Sequence, residues 1–514
     1  MPASHFSWID GLIVAVYLLL TVGVGVYVNR FIHDMGDFVV AGRTLRTRLG
    51  IATMVGSELG LITAMYSAQK GFTGGFAAFH IGLAAGITTL VVGITGFIVV
   101  PLREAEVKTI PEYYELRFRS RNLRIFGGLI LALSGILNMG LFLKAGAEFV
   151  AGLTGVHDPM VLNWIMTGMI VMVLIYTAMG GMVSVIITDF LQFAVLSLGL
   201  LLACVLVLVK VGWGNLVDTV EQVHGAGGFD PFGEGAFGTD YVLWMVFLGL
   251  ISCSVWQTAV MRACAAENTQ VVRKLYQLSS LGFMIRSVLP QFLGIGALAW
   301  AAADPTLRAY FFTPEGAIVG ENSMRAMPVF LSQILPVGVL GLLGAGMLAA
   351  FMSTHDTYLL CWATVLVEDV IAPLKGGRLS QKARLGITRL LLVAIAGFLL
   401  VWSMWYPLKQ DLWDYMAVSG AIYFTGAFAV LLAGLYWRKA SRTGAWLALL
   451  SGTTAVLGLK EVQGFLGLES FLQARAISNE SLSLMTVALS IILMFAGSLL
   501  FPDRSQTSQK ETLA

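Results

Sequence analysis

Charge is what this chain has least of. Asp, Glu, Lys and Arg make up 12% of its 514 residues, where a soluble globular domain carries about 25%. That shortfall excludes an ordinary cytosolic enzyme, a disordered regulator and a coiled coil. Net charge is only +2, so no polyanion such as nucleic acid is implied as a partner. Cysteine is equally sparse. Cys204, Cys253, Cys264 and Cys361 lie in or beside apolar stretches without metal-ligand spacing, and they read as buried free thiols. There is no metal motif, nucleophile elbow or phosphate loop, which argues against an enzyme and against a resident cofactor. No basic stretch precedes the first apolar run, and its end, Val26-Tyr27-Val28-Asn29-Arg30, offers no small-residue cleavage site. It reads as a retained helix rather than a signal peptide.

What the chain has in abundance is apolar surface: 57% of residues are hydrophobic and mean hydropathy is +0.81. Apolar runs of about 20 residues recur along the whole length, the pattern of a polytopic membrane protein. Lipid leaves only helices or a closed barrel, and continuous runs exclude the barrel's alternating segments. Thirteen spans are predicted, near 7–28, 48–67, 77–102, 124–153, 159–178, 182–211, 241–265, 273–302, 336–367, 383–406, 411–437, 442–460 and 481–501. Basic residues fall in alternate loops: Arg30, Arg43, Arg46 and Arg48, then Arg103 to Arg124, Arg273 and Lys274, Lys375 to Arg384, and Arg438 to Arg442. The positive-inside rule then puts the N-terminus outside and the C-terminus inside. The expectation is one transmembrane domain over 1–502 and a polar, disordered cytoplasmic tail over 503–514, without a soluble domain between spans. Met327 to Leu335 is a candidate amphipathic helix at the membrane interface.

Two spans carry polar interruptions: Gly56-Ser57-Glu58-Leu59-Gly60-Leu61-Ile62-Thr63 in the second and Gly249-Leu250-Ile251-Ser252-Cys253-Ser254 in the seventh. With the first span set apart, these are the first helices of two five-helix groups. Paired interruptions at corresponding positions point to a secondary transporter's binding site, and a packing kink is the plain alternative. Charges inside spans cost about 2.5–3.5 kcal/mol each, so Glu58, Lys144, Asp189, Arg286 and Asp356 each need a reason. Glu148 lies one turn from Lys144 and can pair with it; Arg262 can snorkel from a helix end. Ser353 and Thr354 are adjacent hydroxyls on the ninth span. They can bond back to a carbonyl one turn earlier, or help to supply the roughly five oxygens of a sodium cage.

Several segments together resemble the sodium:solute symporters, the family of the proline, pantothenate, sialic acid, sugar and iodide carriers. They are Asp37-Phe38 with Ala41-Gly42-Arg43, the run Thr109-Ile110-Pro111-Glu112-Tyr113-Tyr114-Glu115-Leu116-Arg117-Phe118, and Tyr176 to Met182 with Thr188-Asp189-Phe190-Leu191-Gln192. Met352-Ser353-Thr354 with Asp356, and Gly434 to Ala440 with Thr443-Gly444-Ala445, complete the set. The resemblance covers essentially the whole chain. It implies an inverted five-helix repeat (LeuT-like), with repeats at about 48–211 and 241–437, an extra helix at 7–28 and two helices at 442–501. It implies sodium bound by the Ala350 carbonyl and the Ser353 and Thr354 hydroxyls, with two carbonyls near Glu58 and Leu61 and with Asp189 near an exit path or second sodium. For the solute, Glu58, Lys144 and Arg286 are the charged candidates; two cations favour a small carboxylate, whereas Glu58 favours an amino-acid-like zwitterion. A Glu58 pair with Lys144 or Arg286 that never touches solute is the bland reading. Trp256, Gln257, Tyr423, His80, Asn138 and Phe424 are further pocket candidates, with helix packing the plainer reading of each.

The expected function is sodium-coupled import by alternating access, in a bacterial inner membrane, as a monomer or weak homo-oligomer whose partners are lipid, sodium and the solute. A proton-coupled or uncoupled carrier using Glu58, Asp189 or His355 is one alternative, and a membrane sensor module is another.

Overall fold

A computed structural model describes residues 4–28, 45–156, 158–233, 237–406 and 411–503. Among these, β pairing is limited to two isolated bridges, Leu45 with Ala266 and Phe312 with Ile318. The helices that frame the molecule are α1 (Trp8–Val28), α2 (Thr47–Glu58), α3 (Leu61–Gly74), α4 (Phe79–Thr95), α5 (Ile110–Phe118), α6 (Arg121–Asn138), α7 (Phe142–Thr154) and α8 (Pro159–Lys210). They continue with α9 (Thr239–Val255), α10 (Gln257–Ala265), α11 (Thr269–Ala303), α12 (Val339–Val365), α13 (Gln381–Trp405), α14 (Leu412–Tyr436), α15 (Arg442–Gly452) and α16 (Asn479–Leu500). The fold is all-helical, as the apolar runs predict.

Helix starts follow local chemistry. Thr109, Ser120, Asp158, Asn268, Ser380, Ser441 and Ser478 each cap a helix by accepting an N–H of its first turn. Seven stretches among the described residues are long and apolar enough to cross a membrane, nine if each of two bent pairs counts as one. The predicted spans 159–178 and 182–211 fall within the single 52-residue helix α8. Met327 to Leu335 is helical over Ala326–Ile334, but this helix is buried almost throughout instead of lying at an interface. The tail beyond Asp503 and the loop holding Asp37, Phe38 and Arg43 lie outside the described residues.

The first predicted interruption is a real break, and the seventh predicted span is broken just past the predicted stretch. Leu59 and Gly60 leave helical geometry between α2 and α3. In the second group the break sits at Trp256 and bends α9 from α10 by 43°. Ser252 and Ser254 stay helical and donate to the carbonyls of Gly249 and Leu250, at 3.3 and 2.6 Å. A hydroxyl can satisfy itself on the preceding turn, so small polar residues alone do not unwind a helix.

Helices α3 and α11 cross backbone to backbone. A Cβ on Gly71 would lie 2.0 Å from the Gln291 carbonyl oxygen, and one on Gly294 would lie 2.0 Å from that of Ala68. Glycine at such seats lets helices touch without intervening side chains. Gly294→Ala is therefore expected to destabilise the protein by about 1–3 kcal/mol through overpacking. Gly397→Ala on α13, where a Cβ meets open space, serves as the neutral control in thermal unfolding. Equal stability of the two variants would contradict this crossing.

Candidate functional site

The two breaks meet at a cavity of about 80 Å³ in the middle of the bundle. Its walls include Glu58, Thr63, Tyr66, Asn138, Trp256, Arg286, Thr354, Tyr358, Trp413 and Phe424. Glu58 ends α2 and anchors the break. Its carbonyl accepts from Thr63 Oγ1 at 2.7 Å and from Arg286 Nη1 at 2.9 Å. Its carboxylate accepts from the same Arg286 Nη1 at 3.0 Å and from Thr258 Oγ1 at 3.2 Å. Arg286, on α11, also lies over the Phe283 ring at 4.3 Å from its centroid. A helix break that would strand backbone groups in an apolar core is thus held by a guanidinium.

The break rests directly on the hydroxyl pair of α12. A Cβ on Gly60 would sit 2.1 Å from Thr354 Oγ1, so only glycine permits this approach. Thr354 Oγ1 donates to the Ala350 carbonyl at 3.0 Å, and Ser353 is fully buried beside it. Leu61, at the start of α3, is also fully buried. Glu58's carbonyl already serves two donors, so the part of the break that faces Ala350 and Thr354 is Gly60. The side chain of Asp189 lies outside the described residues.

The other candidates divide. Trp256 lines the cavity, donating from Nε1 to the Tyr358 hydroxyl at 3.0 Å and meeting Phe424 edge-on at 4.7 Å. Asn138 lines it too, donating to the Met416 carbonyl at 2.7 Å. Lys144 does not reach it: its Nζ donates to the Tyr406 carbonyl at 2.9 Å. Nor does Glu148 pair with Lys144. It holds Arg325 through two bonds, one of 2.9 Å between Nη2 and Oε1, and raises the Arg325 guanidinium further above its ordinary value. Gln257 belongs to the scaffold, accepting from the Ile110 N–H at 2.9 Å and donating to the Lys108 carbonyl at 3.3 Å. Tyr423 is buried against Tyr114, hydroxyl to hydroxyl at 3.0 Å. His80 and His355 bond to the carbonyls of Ala77 and Phe351 and are absent from the cavity wall. Arg262 does not snorkel; at 2% exposure it donates to Thr258, Thr357 and Thr53 inside the bundle.

A cluster that sequence reasoning missed lies at one end of the cavity, behind Tyr66 and Trp413 of its wall. Lys70 of α3 is buried and bridges Asp411 at 2.8 Å and Asp414 at 2.9 Å, next to and within α14. Tyr241 of α9 donates to Asp414 at 3.2 Å, and Gln69 accepts from the Leu412 N–H at 3.3 Å. Tyr66 and Trp413, with ring centroids 4.6 Å apart, lie between this cluster and the cavity. The signal was present as a lysine in an apolar run and two aspartates heading another, but no spacing links residues 341 and 344 positions apart. Removing one partner of a buried ion pair strands the other, so Lys70→Ala is expected to cost about 3–5 kcal/mol in equilibrium unfolding. Asp411→Asn leaves the Asp414 pair and is expected to cost less. A loss below about 1 kcal/mol for Lys70→Ala would mean that the cluster does not tie α3 to α14.

Known proteins carry the same organisation. The model of the sodium:solute symporter family matches residues 38–452. A sodium/sialic acid symporter of Aliivibrio fischeri is 25% identical over 473 residues, covering 90% of this chain and 89% of its own length. A high-affinity proline transporter of Bacillus subtilis is 25% identical over 514 residues, covering 94% and 97%. Among solved structures, a Na⁺-coupled sialic acid symporter in a substrate-bound outward-open state superposes with a TM-score of 0.78 at 19% identity. That superposition covers 97% of this chain and the whole of the other, and it shows a shared LeuT-like fold. The chain is an integral membrane protein and belongs to the sodium:solute symporter family.

Proposed function

We propose that this protein is a sodium-coupled importer of a small polar organic solute, a carboxylate or amino-acid-like compound, working by alternating access in a bacterial inner membrane. The observation that carries the reading is the seating of the Leu59–Gly60 break on Ala350 and Thr354, beside a cavity that holds Glu58 and Arg286. Sodium is assigned to the Ala350 carbonyl, the Ser353 and Thr354 hydroxyls and carbonyls of the break between Glu58 and Leu61. Oxygen ligands from two helices suit a hard cation, and unwound backbone at membrane depth is tolerated where it lines such a site. Ion binding there ties α2 and α3 to α12 and completes the adjacent solute cavity. Asp189 is assigned to the sodium path on its signature position alone.

One sodium crossing about 100 mV releases about 2.3 kcal/mol, and a tenfold gradient adds about 1.4 kcal/mol. Together they support roughly 500-fold accumulation of a neutral solute.

A ligand that binds only the native state stabilises it by mass action, about 2.7 kcal/mol at 100 times Kd. Sodium, with potassium as control, is therefore expected to raise the melting temperature of the purified protein. The rise should vanish in Ser353→Ala/Thr354→Ala. A rise that potassium matches, or that survives in the double variant, would refute the assigned cation site. Solute flux that persists without sodium and follows pH would favour the proton-coupled alternative.

A further inference from the structure

The charge of the cavity narrows the solute, on the premise that this cavity is the transport site of a sodium-coupled carrier. Two cations at membrane depth would favour an anion, but Lys144 is spent on a backbone carbonyl away from the wall. The formal charges lining the cavity are Glu58 and Arg286, and they pair at 3.0 Å. The protein charges lining the cavity therefore sum to zero. A monoanion would bring a net charge into a buried, largely aromatic space, and so would a cation; either is costly without a partner.

The pair nevertheless has bonding capacity left. Arg286 uses one terminal nitrogen for both of its bonds to Glu58, and its Nε is buried without a hydrogen-bond partner. A guanidinium presents five donors in a fork matched to a carboxylate, so an edge remains for one. The Glu58 carboxylate accepts from Arg286 and Thr258, short of the four lone pairs it offers. The rings of Tyr66, Trp256 and Phe424 are part of the wall, and an aromatic ring attracts a cationic nitrogen set over its face.

We propose that the solute is a compact zwitterion, its carboxylate docked on Arg286 and its cationic nitrogen set between Glu58 and the aromatic faces. Binding exchanges one ion pair for two and adds no net charge to the cavity. A net-neutral solute also keeps the whole voltage term of one sodium, about 500-fold accumulation, where a monoanion carried with one sodium cancels that term and retains about tenfold. The shared chemistry is a carboxylate and a cationic nitrogen on one small frame. An ammonium would donate to Glu58, whereas a quaternary nitrogen would rely on the rings.

The test is thermal stabilisation of the full-length protein in saturating sodium. The probes are L-alanine, L-proline and glycine betaine, set against propionate, choline and galactose. At least one zwitterion is expected to shift the melting temperature at a concentration tenfold below any other probe, and the ammonium and quaternary arms tell the two nitrogens apart. Glu58→Gln should weaken the zwitterion at least tenfold and bring propionate level with it, because Arg286 is then released. If Glu58→Gln does not fold, the wild-type panel decides alone. Propionate or galactose matching the zwitterions, or a sodium shift with no zwitterion response, would overturn the proposal while leaving sodium binding intact. A zwitterion shift of equal size in potassium would support the solute assignment and remove the sodium coupling instead.

Discussion

Glu58 and Arg286 form the contact on which the rest of the centre depends. A helix broken inside an apolar bundle exposes backbone groups that nothing in lipid can satisfy. Here the last carbonyl before the break is claimed by Thr63 and Arg286, and the side chain of the same residue neutralises the guanidinium. The arginine is tolerated because of the glutamate, and the break is tolerated because of the arginine. Gly60 can then press against Thr354, which no residue with a side chain could do.

Much of this was legible in the sequence. Composition gives a membrane protein, and the long continuous apolar runs make it helical, since a closed barrel needs short alternating segments. The first break was legible because a glutamate between two glycines has no business in an ordinary span. The second was misplaced by a few residues. Trp256 is no helix breaker, and its conformation is set by tertiary contacts with Tyr358 and Phe424 that one-dimensional pattern does not carry. Lys144, Gln257 and Tyr423, offered as pocket candidates, lie away from the cavity wall. Residue type reveals that a polar group needs a partner, not which side of its helix the partner is on. Glu148 shows the same limit, since its partner Arg325 lies 177 positions away.

Both ends of the bundle around the cavity carry charged ties. At one end Lys70 pairs with two aspartates, screened from the cavity by Tyr66 and Trp413. Toward the other end ion pairs of Arg124 with Glu115 and Asp369 and of Arg384 with Glu368 stand beside ties to backbone. Arg103 donates to the carbonyls of Ala266 and Glu267, Leu45 pairs with Ala266, and Gln257 clasps Lys108 and Ile110. A charged tie responds to ionic strength and local potential, whereas backbone ties respond mainly to competing donors.

The glycine crossing of α3 on α11 has a mechanical consequence. Helix α11 grips both sides of the fracture: Arg286 holds Glu58 at the end of α2, while Gly294 sits against α3. It acts as a splint, fixing the angle between the two fragments of the broken helix. The two grips differ in kind. The glycine seat is dry and has no soluble competitor, but the guanidinium can be drawn off by any carboxylate that enters. The carboxylate proposed to dock on Arg286 would therefore compete at the polar end of this splint and leave the glycine seat untouched.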